Sequence, residues 1–300
     1  MNQPFLELDA SLLLATVAAR IPPALRDNVV VIGSVATAWA FRDVSGMATV
    51  ATKDIDLLLR PTVDAVATAV TLGQRLLDEG WMPQFSEGRE AGTADTPDDQ
   101  LPALRLTPPG MGDGWFIELL AEPAASQTER RTWRRVDTAQ GAFGLPSFRF
   151  MPIATHGAQE TPFGLLVARP ACMALAHLLE HAEPDHNRIS TQSGFLRFQK
   201  DLGRAVSLWW LAGEQAASPG PVWLAAWHAA LDEIHPGRHL KMVTAAQSGL
   251  RALDGYLREA HRLSTLGVLA PHGTSFDAFK RACESLGRLL DNAAKTGQER

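Results

Sequence analysis

Cysteine is scarce in this 300-residue chain. Cys172 and Cys283 stand far apart and outside any C-x-x-C spacing, which argues against both a disulfide framework and a zinc site. Long apolar runs are missing as well: none reaches the roughly 18 residues that a membrane span requires. Charge of one sign is also lacking. A formal net charge of -5 and a pI near 6.0 exclude a protein that coats nucleic acid by charge alone, and leave room only for a local basic patch. The first twenty residues have no basic start. Glu7 and Asp9 precede Ser11-Leu12-Leu13-Leu14, and Arg20 breaks the apolar run, so the segment predicts an amphipathic helix rather than an export signal. A cytoplasmic protein with no membrane partner is the expectation.

What the chain does have is apolar residues, at 46%, enough to bury a core in each of two domains. Residues 8–20 read as a helix ended by Pro22-Pro23, and Val29–Ile32 as a short buried strand. Ser34 stands where a helix N-cap would, and Asp54–Arg60 reads as a second strand stopped by Pro61. Thr62 is expected to cap a helix over 63–79. Further strands are expected at 81–85, 104–107, 115–121, 148–153 and 163–168, with a turn-rich connector at 108–114 and a mobile acidic loop at 86–102. From Pro170 onward apolar residues recur at helical spacing, over 171–182, 194–212, 221–234, 238–263 and 275–294. The predicted architecture is α+β: a mixed sheet flanked by helices over residues 1–165, then an all-helical domain over 166–300.

The chemistry concentrates between Val29 and Leu59. Side chains two apart on a strand share a face, about 6.5 to 7 Å apart, so Asp54 and Asp56 present both carboxylates to one side while Ile55 packs on the other. Two anions held so close repel unless a cation lies between them, which points to Mg²⁺, with Mn²⁺ as a substitute. Glu118, an acid inside the apolar strand Phe116-Ile117-Glu118-Leu119-Leu120, completes a two-metal cradle if its strand neighbours that of the aspartates; Glu122 is the substitute should Glu118 face away. Gly33 lets the backbone turn sharply. The amides of Gly33 and Ser34 and the Ser34 hydroxyl, at a helix N-terminus, suit phosphate oxygens. A dinucleotide-binding reading fails on two counts: glycines are needed at 35 and 38, where Val35 and Ala38 stand, and Asp54 and Asp56 begin their strand rather than end it.

Gly33-Ser34, Asp54-Ile55-Asp56 and a later strand acid resemble the polymerase-β-like nucleotidyltransferase superfamily. The phrase Thr52-Lys53-Asp54-Ile55-Asp56, together with Arg197-Phe198-Gln199-Lys200-Asp201, is most similar to the branch containing the AbiEii-type abortive-infection toxins. The resemblance spans about residues 25–212. It implies that Asp54, Asp56 and Glu118 hold two Mg²⁺ ions, that Gly33, Ser34, Lys53, Arg197 and Lys200 contact an NTP, and that Lys200 and Asp201 join the catalytic set. The implied activity is transfer of an NMP to an acceptor hydroxyl on tRNA, a protein or a small molecule, with an antitoxin as an expected partner. Three positions depart from the family pattern: His177 and Val50 replace a lysine and an arginine, and Arg204 replaces an acid. Those departures motivate the alternative, a catalytically degenerate protein of the same fold that binds a nucleotide or a partner.

Other features have plainer readings. His177 and His181 lie one helical turn apart with His186 nearby, but no Glu follows His177 as a His-Glu-x-x-His site requires, and a structural role is expected. Arg130, Arg131, Arg134 and Arg135 around Trp133 read as a solvated basic face, with an RNA-docking patch as the alternative. Trp209, Trp210, Trp223 and Trp227, at helical spacing, read as core.

Overall fold

The computed structural model describes residues 7–44, 49–85, 89–110, 114–183, 187–189 and 194–298. His186, the start of the acidic loop at 86–88 and the connector residues 111–113 lie outside them. The chain divides into two compact units. The first comprises residues 1–36, 52–152 and 158–167, and the second 37–51, 153–157 and 168–300.

The first unit opens with strand β1 (Glu7–Asp9) and helix α1 (Ala10–Arg20), whose N-cap is Asp9, accepting from the Leu12 amide at 2.7 Å. Strand β2 (Val29–Ile32) leads into helix α2 (Gly33–Ala40), which begins at Gly33 and so has Ser34 inside its first turn rather than ahead of it. The second unit's strand β3 (Thr49–Ala51) precedes β4 (Asp54–Leu59), and α3 (Ala65–Asp78) follows. Thr62 does not cap α3. Its hydroxyl instead donates to the Pro123 carbonyl at 2.6 Å, and the helix starts two residues later than its apolar pattern suggests.

A seven-stranded mixed sheet forms from β2, β4, β5 (Met82–Pro83), β6 (Arg105–Thr107), β7 (Phe116–Ala121), β10 (Gln159–Glu160) and β11 (Leu166–Val167), in the order β10-β11-β2-β4-β7-β6-β5. Strands β11 and β2 are parallel, β2 and β4 antiparallel, and β4 and β7 parallel. Strands β4 and β7 occupy the centre of this order and share one burial pattern, two half-buried positions flanking a buried one and then three buried residues. Such a pattern suits a strand whose leading end meets solvent on one face while its trailing end is covered on both.

From Arg131 onward the basic segment belongs to β8 (Arg131–Thr138), with Arg130 just ahead of it, and β8 pairs with β9 (Gly141–Phe148) in a separate hairpin ribbon. The strand expected at 148–153 is corrected here: β9 stops at Phe148 and a short helix, α4 (Met151–Thr155), follows. Pro152 sits in its first turn, where the missing amide costs nothing. Phe148 and Ile32 pack against the buried cluster of Leu58, Leu120 and Met151, two residues beyond Asp56 and Glu118 on the same sheet face.

The second unit is mainly helical: α5 (Pro170–Glu180), α6 (Arg197–Gln215), α7 (Gly220–Ile234), α8 (His239–Arg251), α9 (Leu257–Thr265) and α10 (Phe276–Gln298). The single helix expected over 238–263 is two, because Gly255 takes a left-handed backbone at φ 85° between α8 and α9. Trp209, Trp223 and Trp227 are buried and meet edge to face, and the Trp227 indole donates to the Ala171 carbonyl at 2.7 Å. None of the described helices is long and apolar enough to cross a membrane.

Candidate metal centre

Register brings the three acids together. Strands β4 and β7 run parallel with Asp56 opposite Glu118 and Asp54 opposite Phe116, and the Phe116 amide donates to the Lys53 carbonyl at 2.9 Å where the ladder starts. Asp54, Asp56 and Glu118 each offer a carboxylate oxygen, and these atoms lie within 4.8 Å of one another. Thr52 steadies the first of them, its hydroxyl donating to Asp54 Oδ1 at 2.6 Å. Glu122 is elsewhere engaged. Its Oε2 accepts from the Thr62 amide at 3.0 Å, so Glu118 is the acid that joins the aspartates.

Glu118 has a companion on its other side. Arg105, opposite it on β6, donates from Nε to Oε2 at 3.2 Å, and its Nη2 forms an ion-pair contact with the same oxygen at 3.1 Å. Burial raises the Glu118 pKa, and the Arg105 guanidinium opposes that rise while the Asp54 charge adds to it.

Gly33 lies directly against the cluster. Its φ is 72°, and a Cβ built there would collide with the Asp56 carboxylate. The turn at the start of α2 and the acids are therefore neighbours, with Ser34 half-buried beside them. Three converging carboxylates, one of them buried against its own charge, next to a backbone turn that admits no side chain, fit a hard divalent cation held by oxygen ligands. Among the described residues no histidine takes part in any such group of three or more.

Arg197, Lys200 and Asp201 belong to the second unit, in the first two turns of α6. Asp201 is engaged there: its Oδ2 meets Nε2 of the fully buried His181 at 3.0 Å. Burial works against the Asp201 charge, yet the His181 hydrogen bond, with His177 and Arg197 nearby, holds its pKa far below the usual carboxylate range. Burial lowers the His177 pKa to about 4 against the pull of Asp201. The structural reading of His177 and His181 fits this arrangement.

The arginines of β8 divide. Arg135 is tied to the Thr93 and Thr96 carbonyls and to Asp137, and Arg134 reaches the Thr62 carbonyl. Arg131 is exposed and lies over the Trp133 ring at 4.0 Å. Sequence reasoning missed Arg105, the Thr52 hydroxyl and the His181–Asp201 pair. Thr52 was close to legible, two residues before Asp54, whereas the other contacts join residues far apart in the chain.

No protein-family model matches the chain, and no curated protein matches it. Among solved structures it is similar to a crystal structure of an antigenic nucleotidyltransferase-like protein from Paracoccidioides brasiliensis, at 14% identity over 81% of this chain and 95% of that one, with a TM-score of 0.31.

Proposed function

We propose that the chain is a metal-dependent nucleotidyltransferase that moves an NMP from an NTP to an acceptor hydroxyl and releases pyrophosphate. The observation that carries this reading is the convergence of Asp54, Asp56 and Glu118 beside the Gly33-Ser34 turn. In this reading the three carboxylates hold Mg²⁺, which when bound supplies charge neutralisation for the triphosphate and a lowered pKa for the acceptor hydroxyl. The Gly33 and Ser34 amides and the Ser34 hydroxyl donate to triphosphate oxygens and Lys53 offsets its charge, and the roles in NTP binding and catalysis that the resemblance implies for Arg197, Lys200 and Asp201 belong to the same proposal. The acceptor hydroxyl gives up its proton to solvent and its oxygen bonds to the α-phosphorus as the bond to the bridging oxygen breaks in line with it, so that pyrophosphate leaves. The acceptor is tRNA, a protein side chain or a small molecule, and kinship with the AbiEii-type toxins, with an antitoxin as partner and the cytoplasm as location, belongs to the same proposal.

A second reading, nucleotide or partner binding without transfer, is favoured by one observation: the Asp201 carboxylate is occupied by His181. Calorimetry with ATP, CTP, GTP and UTP, with and without Mg²⁺, followed by a labelled-NTP transfer assay, separates the two. Mg²⁺-dependent transfer lost in Asp54→Asn supports the enzyme, with Lys200→Ala expected to weaken NTP binding roughly tenfold, the worth of one charge-assisted contact, at an unchanged unfolding midpoint. Metal-independent binding and no transfer in any acceptor pool would sink the enzyme and sustain the second reading.

A further inference from the structure

We propose that Arg105 is the positioning residue of the metal centre, fixing the Glu118 carboxylate in the orientation that a divalent cation requires without itself touching the cation. The inference rests on the metal reading above and adds to it a residue that the acid pattern does not reveal.

Asp56, Glu118 and Arg105 form a row across the adjacent strands β4, β7 and β6, Asp56 opposite Glu118 and Glu118 opposite Arg105. Glu118 thus stands between a carboxylate on one flank and a guanidinium on the other. The Nε hydrogen bond and the Nη2 contact both fall on one atom, Oε2, so the glutamate is held from the β6 side, across β7 from the strand that carries the aspartates. Arg105 is itself fixed. Its neighbours Leu104 and Leu106 are fully buried, and its guanidinium lies 5.3 Å from the centre of the Phe116 ring, two residues before Glu118 on the same strand face.

An exposed ion pair contributes little to stability. This one differs in that its acidic partner is only 13% exposed and belongs to a trio whose oxygens lie within 4.8 Å. Left alone, the three like charges would drive the glutamate away from the aspartates. A cation bonded to its far flank offsets that repulsion and keeps the trio assembled before any metal arrives. Groups that orient a metal ligand from behind typically change metal affinity about 10- to 100-fold when removed.

The test is Mn²⁺ titration of the full chain, read by the electron paramagnetic resonance signal of free Mn²⁺ and by calorimetry, with Glu118→Gln and Asp54→Asn as references for ligand loss. Arg105→Met is expected to weaken Mn²⁺ binding about tenfold or more. Arg105→Lys, which keeps the charge but not the fork of two donors, should recover part of it. In the transfer assay the Mn²⁺ concentration for half activation should rise while the rate at saturating Mn²⁺ returns toward that of the wild type. Unfolding midpoints in EDTA establish that each variant is folded, and should Arg105→Met fail to fold, Arg105→Lys decides alone. An affinity within twofold of the wild type, alongside a clear loss in Glu118→Gln, overturns the inference and leaves the metal reading standing. Wild-type protein that binds no Mn²⁺ overturns that reading, and this inference with it.

Discussion

Gly33 answers to two constraints at once. Its left-handed backbone disfavours any L side chain, and the space where a Cβ would lie is taken by the Asp56 carboxylate. Replacement by alanine is therefore expected to cost at least about 1 kcal/mol of stability and to push Asp56 out of line with Glu118. Urea unfolding and Mn²⁺ titration of Gly33→Ala check both effects, and a variant matching the wild type in each would remove the steric argument. The aspartates were legible because two acids separated by Ile55 ahead of Leu57-Leu58-Leu59 have few other uses. Arg105 was not legible: in Leu104-Arg105-Leu106 it has the look of an outward residue on an alternating strand, and only the pairing of β6 with β7 reveals its partner.

Among the elements, α5 and α6 pack together in the second unit and bring His177 and His181 toward Asp201. His177 is held neutral, its pKa lowered by burial from 6.5 to about 4. An unfolded chain takes up a proton there from about pH 6.5 downward while the folded chain does so only near pH 4, so stability falls as pH drops through that window. The loss is on the order of 1 to 3 kcal/mol for a ring that is not wholly enclosed. Denaturant midpoints from pH 7.5 to 4 should show the decline, and His177→Gln should flatten it; an unaltered slope in the variant would assign the decline to other groups. Elements with strong periodicity, such as α6 and α10, were legible from spacing alone. The α4 start at Met151 and the break between α8 and α9 were not, because in each case a single proline or glycine overrides an apolar pattern that continues through it.

For the whole molecule, neither unit is one stretch of chain. The helical unit includes residues 37–51 and 153–157, and its buried side chains include Phe41 and Ile153; Gln215, at the end of α6, donates to the Ala40 carbonyl at 3.1 Å. A fragment of residues 168–300 lacks those pieces, and the loss of Phe41 alone amounts to about 1.5 to 3 kcal/mol. The fragment is expected to be helical by circular dichroism yet to unfold without a sharp transition, and a cooperative melt would disprove the dependence. The sheet is assembled from similarly distant parts, with Leu166 beside Val30 and Val167 beside Val31. During translation β2 leaves the ribosome long before the strand that covers this flank has been made, an interval on the order of ten seconds at ordinary elongation rates. The nascent chain thus carries an uncovered strand edge for that time, and slower elongation between the two segments would lengthen its exposure to mispairing with other newly made chains.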